Sequence, residues 1–144
     1  MTKPALLFDA SSLLILIKEL RGGAPSLLLK GSTIFLAYYE VGNALWRECF
    51  LLNRINQEEA SRLLRVIFTI LRRIDVVRLE DEDSGSAILN LAGELKITYY
   101  DAAYLVEAQR SNKILVTDDE KLIEATKSAG VKVLTSRAIL EREL

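Results

Sequence analysis

Five carboxylates stand where short apolar runs end or where helices begin. Asp9 follows Leu6-Leu7-Phe8, Glu40 follows Tyr38-Tyr39, Asp101 lies at the front of "YYDAAYLVEA", and Asp118-Asp119 follow Ile114-Leu115-Val116 within "ILVTDDEKL". The chain has no histidine and a single cysteine, Cys49. The usual general base and the usual zinc ligand are therefore missing. Carboxylates that share a cleft repel one another, and some stay protonated unless a cation joins them. Oxygen ligands without His or Cys select hard cations, Mg²⁺ or Mn²⁺, and argue against zinc. One such ion holds a scissile phosphate and lowers the pKa of a bound water; two stabilise both the attacking and the leaving oxygen. The residues are compatible with either number.

Each acid also has a plainer reading. Asp9, Ser11 or Ser12 would suit an N-cap. Thr98-x-x-Asp101 and Thr117-x-x-Glu120 have the spacing of capping boxes. Asp118 and Asp119 suit the positive end of a helix dipole, and Glu40 suits a solvated surface. The conjunction is harder to explain that way. Glu40 follows two tyrosines in an apolar setting, and the backbone of Asp9 emerges directly from a core run.

The elements that would position these acids follow from the hydrophobic pattern. Ala5–Phe8, Thr33–Ala37, Asp75–Leu79, Lys113–Val116 and Val131–Leu134 read as five short strands. Ser11–Leu20 reads as a helix stopped by Gly22-Gly23-Ala24-Pro25. Tyr38–Leu52 reads as a helix with Val41, Leu45, Trp46 and Cys49 near one face, and Gln57–Arg73 as another carrying Leu63, Leu64, Ile67, Ile70 and Leu71. Ser84–Leu95, an amphipathic Tyr99–Arg110, Glu120–Ala129 closed by Gly130, and a short Ala138–Leu144 complete the set. Brief apolar strands separated by helices argue for an α/β three-layer sandwich, a parallel sheet covered by helices on both faces. In such sheets ligands sit beyond the carboxyl ends of the strands, where the strand order reverses. Four of the acids or acid pairs fall at such junctions.

Composition bounds the rest. At 144 residues, about half of them hydrophobic, the chain reads as a single domain over 1–144 with a sizeable core. With 19 basic and 20 acidic side chains, bulk charge argues neither for nor against nucleic acid. A local patch is available: Arg62, Arg65, Arg72 and Arg73 could form a basic strip, with Arg47 and Arg54 nearby in sequence. The plainer alternative, a solvated helix face with local pairs such as Glu58–Arg62, is preferred slightly. Of Tyr38, Tyr39, Tyr99, Tyr100 and Tyr104, one or two would stack on bases and most would be core. One cysteine rules out an intramolecular disulfide, which fits a reducing compartment. The apolar start is too short for a signal peptide, and no stretch reaches the roughly 18 apolar residues of a membrane span. A cytoplasmic protein with no membrane association is expected.

The fragments "LLFDASSLL", "YYEVGNALW", "TYYDAAYLVEA" and "ILVTDDEKL" together resemble the PIN domain, and more narrowly the toxin ribonucleases of the VapBC toxin–antitoxin type. The resemblance runs over nearly the whole chain in the family's order. It implies a five-stranded parallel sheet and a cluster of acids binding Mg²⁺ or Mn²⁺. By motif position the metal ligands and catalytic residues carry over to Asp9, Glu40, Asp101 and Asp119. Ser11, Asn43 and Thr117 match places where the family sets small polar groups beside the acids. The last family pattern is threonine, any residue, aspartate, so Asp118 occupies the variable middle place. It stands as a possible supporting residue, expected to face solvent while Thr117 caps the next helix and Glu120 returns the bond. The resemblance further implies an endoribonuclease acting on RNA and an antitoxin partner, an arginine of which would pair with the acidic cleft.

Two other readings accompany this one: a PIN nuclease with a housekeeping role in RNA processing, and a phosphoacceptor receiver-like regulator, since those also gather acids on a doubly wound sheet. Receivers place their acid pair near the first strand, whereas Asp118-Asp119 comes late. A homodimer is expected as well, because "AYYEVGNALWRECFLLN" and "LLRVIFTILRRIDVV" carry more apolar surface than one helix stripe needs.

Overall fold

The structure is a computed structural model that describes residues 5–20 and 24–143. The chain alternates strands and helices: β1 (Leu6–Phe8), α1 (Ala10–Leu20), α2 (Ala24–Leu28), β2 (Ser32–Ile34), α3 (Ala37–Trp46), a π-helical turn (Arg47–Leu51), α4 (Gln57–Leu71), β3 (Asp75–Val77), α5 (Glu82–Leu95), α6 (Tyr99–Ser111), β4 (Ile114–Val116), α7 (Glu120–Ala129), β5 (Val133–Leu134) and α8 (Ser136–Glu143). The five strands form one parallel sheet in the order β3-β2-β1-β4-β5. This is not the 2-1-3-4-5 order of the flavodoxin-like fold, to which receiver regulators belong. The receiver-like reading therefore falls.

Parallel strands buried on both faces need apolar residues of both parities. Leu7 pairs in register with Leu115, and Phe8 with Val116. Phe8 and Val116 point into one core, built with α1, α2, α3, α4 and α8. Leu7 and Leu115 point into the other, built with α5, α6 and α7. Gly31 lies just before β2. A Cβ there would sit 2.2 Å from Cε2 of the fully buried Phe8 and 3.2 Å from the Leu6 carbonyl oxygen. No side chain fits between that ring and that backbone.

The strands are shorter than the sequence suggests, and the ladder explains where they stop. The Phe35 N–H donates to the Val77 carbonyl (2.9 Å), and then the Tyr38 N–H donates back to Phe35 (3.1 Å). The chain has already turned into α3 where the pattern reads as strand. Ala24-Pro25, read as a helix stop, opens the short α2; the Gly22-Gly23 break lies outside the described residues. The helix expected over Tyr38–Leu52 ends in the π-helical turn, where the Leu52 N–H donates to Arg47 (2.9 Å) rather than to a residue four back. Val41, Leu45 and Cys49 are buried as expected, but Trp46 is 52% exposed. Helix α6 is not amphipathic: Ala102 to Ala108 are all buried. Within it Glu107 pairs with Lys113 at 3.1 Å and accepts a hydrogen bond from the Ser111 hydroxyl at 2.9 Å. Among the described residues no helix is long and apolar enough to cross a membrane.

Candidate active site

The order of the strands reverses at β1. The chain leaves β1 for β2 and β3 on one side, and β4 and β5 lie on the other. The carboxyl ends of β1 and β4 are thus the place where a crevice opens. Asp9 follows β1, and its N–H still donates to the Val116 carbonyl (3.2 Å). Its side chain is 5% exposed. Oδ1 accepts from the Ser12 N–H (2.9 Å) and the Ser11 hydroxyl (3.3 Å), so Asp9 does cap α1. Oδ2 accepts from the Thr117 hydroxyl at 2.5 Å. Burial raises the Asp9 pKa above the usual carboxylate range, against the lowering effect of these bonds.

Glu40 stands in the first turn of α3 and accepts a hydrogen bond at Oε1 from the Tyr104 hydroxyl (2.7 Å). Its pKa is raised by burial first, then by the charges of Asp101 and Asp9. Asp101 stands in the first turn of α6, where its N–H donates to the Thr98 cap (3.1 Å). Its pKa is raised by burial and by the charges of Asp119 and Asp9, with the Thr98 contact and Lys121 opposing. Asp119 is the N-cap of α7: Oδ1 accepts from the N–H groups of Lys121 (2.9 Å) and Leu122 (3.4 Å).

These four acids, from four different junctions, line one cavity of about 420 Å³. Ser11, Asn43, Arg47 and Tyr104 line it with them. A hollow of about 670 Å³ beside α1 and α4 is larger, but it carries Lys18, Glu59 and Arg62 rather than gathered acids. Thr117 corrects an expectation. It does not cap α7, a place that Asp119 takes. It is fully buried, donates to Asp9 and accepts from the Asp119 N–H (3.2 Å), so it ties two of the acids together. Asp118 corrects another. It is not turned to solvent: Oδ1 accepts from the Ser136 N–H (2.9 Å) and the other oxygen from the Ser136 hydroxyl. It anchors the start of α8 and is not among the residues lining the cavity.

Two lining residues were not singled out for the site from sequence. In sequence Tyr104 reads as one of five tyrosines near the acids; it lies three residues after Asp101, on the same face of α6. Arg47 reads in sequence as one more basic residue of the middle helices, yet it alone of that group reaches the acidic cavity. Arg62, Arg65, Arg72 and Arg73 are exposed on and after α4, and Arg62 pairs with Glu59 (3.7 Å) rather than with Glu58. The tyrosines divide differently from expectation. Tyr104 is buried and Tyr38 packs against Phe35 and Phe68, but Tyr39, Tyr99 and Tyr100 are exposed.

The donor set is all oxygen, which fits a hard divalent cation. Glu40 and Asp119 each use only one carboxylate oxygen in the hydrogen bonds above. As the side chains stand, no three acidic, histidine or cysteine groups among the described residues form a finished coordination cage. The fit therefore rests on donor type, shared cavity and mutual charge repulsion. A bound cation would relieve that repulsion.

A comparison with protein-family profiles finds no match. The chain is 35% identical to Exonuclease VapC9 of Pyrobaculum aerophilum over 100 residues, which cover 69% of this chain and 70% of that protein. The crystal structure of PAE2754 from Pyrobaculum aerophilum superimposes with a TM-score of 0.76 and 31% identity, covering 96% of this chain and 88% of that one. A toxin–antitoxin complex from Klebsiella pneumoniae shares the fold at a TM-score of 0.62 and 18% identity, covering 92% of this chain and 98% of that one. With that fold, and with a relative of this likeness matched over two thirds of both chains, the protein belongs to the VapC-like family of PIN-domain proteins.

Proposed function

We propose that the chain is a toxin ribonuclease that hydrolyses RNA phosphodiester bonds with a divalent cation held by Asp9, Glu40, Asp101 and Asp119. The observation that carries this reading is the gathering of those four carboxylates in one cavity at the sheet's reversal point, where burial raises the pKa of Asp9, Glu40 and Asp101 and neighbouring acid charges raise Glu40 and Asp101 further. Kinship with a protein named as an exonuclease supports a nuclease. When bound, Mg²⁺ or Mn²⁺ supplies charge for the phosphate and a more acidic water. The chain's own residues do the rest. Thr117, with Ser11 and the Ser12 N–H, fixes Asp9; Tyr104 fixes Glu40; the α7 N-terminus fixes Asp119. In the hydrolysis, water adds to phosphorus, the P–O bond to the leaving nucleotide breaks, and the water's proton ends on that leaving oxygen. No protein nucleophile is needed.

On this reading the chain cleaves RNA internally, acts in the cytoplasm, binds an antitoxin whose arginine pairs with the acidic cleft, and forms a homodimer. Exposed Trp46, Phe50 and Leu51 supply apolar surface for association, although the face of α4 is largely buried, with only Val66 added to that surface. The test is incubation of purified protein with linear and covalently closed circular RNA in Mg²⁺, Mn²⁺ and EDTA. Cleavage of both substrates with metal and of neither in EDTA is expected. Cleavage of the linear RNA alone would replace the endonuclease assignment with an exonuclease one, and undiminished cleavage in EDTA would overturn the metal.

A further inference from the structure

Resting on that reading, we infer that Arg47 is a substrate-binding residue that holds a backbone phosphate of the RNA in the acidic cavity. Glu40, Asn43, Ala44 and Arg47 recur at three- and four-residue intervals, and all four line the cavity. Side chains on a helix lean toward its N-terminus and cover the preceding turn. A long side chain at the carboxyl end of α3 therefore extends back along the wall that carries Glu40.

The second observation is that Arg47 is uncommitted. Arg54 pairs with Glu48 (3.2 Å), Arg62 with Glu59 (3.7 Å), and Arg78 with Glu80 (2.7 Å). Arg47 is exposed, and among the described residues it forms no ion pair and no side-chain hydrogen bond. Among the described residues it is the one cation lining a wall that otherwise carries four carboxylates. It also opens the π-helical turn, a local departure from α-geometry of the kind often found at functional sites.

The chemistry selects the ligand. A guanidinium presents a planar fork that matches two phosphate oxygens. Once a divalent cation offsets the carboxylates, a polyanionic strand entering the cavity meets Arg47 as the positive group of its lining. The basic residues of α4, by contrast, line no part of this cavity.

The test compares wild type, Arg47→Ala and Arg47→Lys. Mn²⁺ binding is followed by titration calorimetry, and steady-state cleavage of a single-stranded RNA oligonucleotide is followed across a range of KCl concentrations. Arg47→Ala is expected to lower kcat/KM by about tenfold to a hundredfold, chiefly through KM, the scale of one charge-assisted hydrogen bond. The log–log salt dependence of kcat/KM should become shallower by about 0.7, the value for one phosphate contact on a single strand. Mn²⁺ should bind Arg47→Ala at least as tightly as wild type, since a neighbouring positive charge has gone. Arg47→Lys keeps the charge and should keep the salt slope, while recovering only part of the lost rate. Wild-type KM and salt slope in Arg47→Ala, with wild type active, would overturn the role of Arg47 and leave the nuclease reading intact. Weakened Mn²⁺ binding in Arg47→Ala would overturn it too, by making Arg47 a support of the acid cluster. A wild-type protein that neither binds Mn²⁺ nor cleaves RNA would remove the nuclease reading and this one together.

Discussion

Tyr104→Phe removes one oxygen from a ring that is 1% exposed and leaves the ring's packing in place. That oxygen donates to Glu40 Oε1 at 2.7 Å. A hydrogen bond to a charged group contributes roughly 1.5–3 kcal/mol when fully buried. Glu40 is only half-buried, and water can take over part of the lost contact. We therefore expect a loss of about 1–2 kcal/mol at neutral pH. For a domain of this size that lowers Tm by about 3–6 °C. The loss should depend on pH. The hydroxyl favours the charged form of Glu40, so its removal raises the already raised Glu40 pKa further. Below about pH 4, where the carboxyl is protonated in folded and unfolded chains alike, only a neutral hydrogen bond of about 0.5–1.5 kcal/mol is at stake. Thermal melts of metal-free wild type and Tyr104→Phe by circular dichroism, at about pH 4 and about pH 7, measure the difference directly. An equal loss at both pH values, or none at either, would refute the view that this bond serves the carboxylate. The variant should also bind Mn²⁺ more weakly, because Glu40 loses the group that orients it.

Asp119→Asn should abolish most RNA cleavage and weaken Mn²⁺ binding in calorimetry, while keeping an amide able to cap α7. Asp118→Asn should instead cost about 1 kcal/mol in chemical denaturation through its two bonds to Ser136 and keep most of the cleavage; the reverse pattern would place the wrong acid in the site. Gly31→Ala should lower stability by about 1–3 kcal/mol, measured by urea denaturation, because its methyl group meets the buried ring of Phe8. The pKa values of Asp9, Glu40 and Asp101 are raised in the folded chain, so it binds more protons than the unfolded one above the ordinary carboxylate range. Their contribution is therefore fully present below about pH 4 and lost as pH rises through the raised folded values. Saturating Mn²⁺ should restore stability at neutral pH; a metal-free protein whose carboxylate-linked stability rises over that interval would contradict the shifts.

Much of this architecture is legible in the sequence because its signals are local. The runs Leu6-Leu7-Phe8 and Ile114-Leu115-Val116 carry enough apolar side chains to be buried on both faces, and each hands over to a polar residue at its carboxyl end. Asp9 shows that capping and site membership coexist, since a carboxylate at a helix N-terminus can serve both. What escaped the sequence depends on partners distant along the chain. Thr117 could be read as a cap from its spacing to Glu120, but its hydroxyl goes to Asp9, 108 residues away. Asp118 reads as solvated until β5 brings Ser136 beside it. The π-helical turn has no sequence mark in "RECFL", so the pattern reads as one helix through it; Trp46 precedes the turn and is exposed because ordinary helical rotation sets it well away from the Val41–Leu45 stripe. Helix α6 reads as amphipathic because Glu107 looks like a surface residue, and only Lys113 and Ser111 explain its burial.

The central claim, that these acids form a divalent cation site, is tested most directly by Mn²⁺ titration calorimetry on wild type and Asp101→Asn. Asp101 faces the charges of Asp119 and Asp9, and the substitution removes its charge while nearly keeping its shape. The account predicts saturable Mn²⁺ binding to wild type and a loss of that binding in Asp101→Asn, with the variant still folded by circular dichroism. Absence of Mn²⁺ binding in wild type, or equal binding in a folded Asp101→Asn, would contradict it.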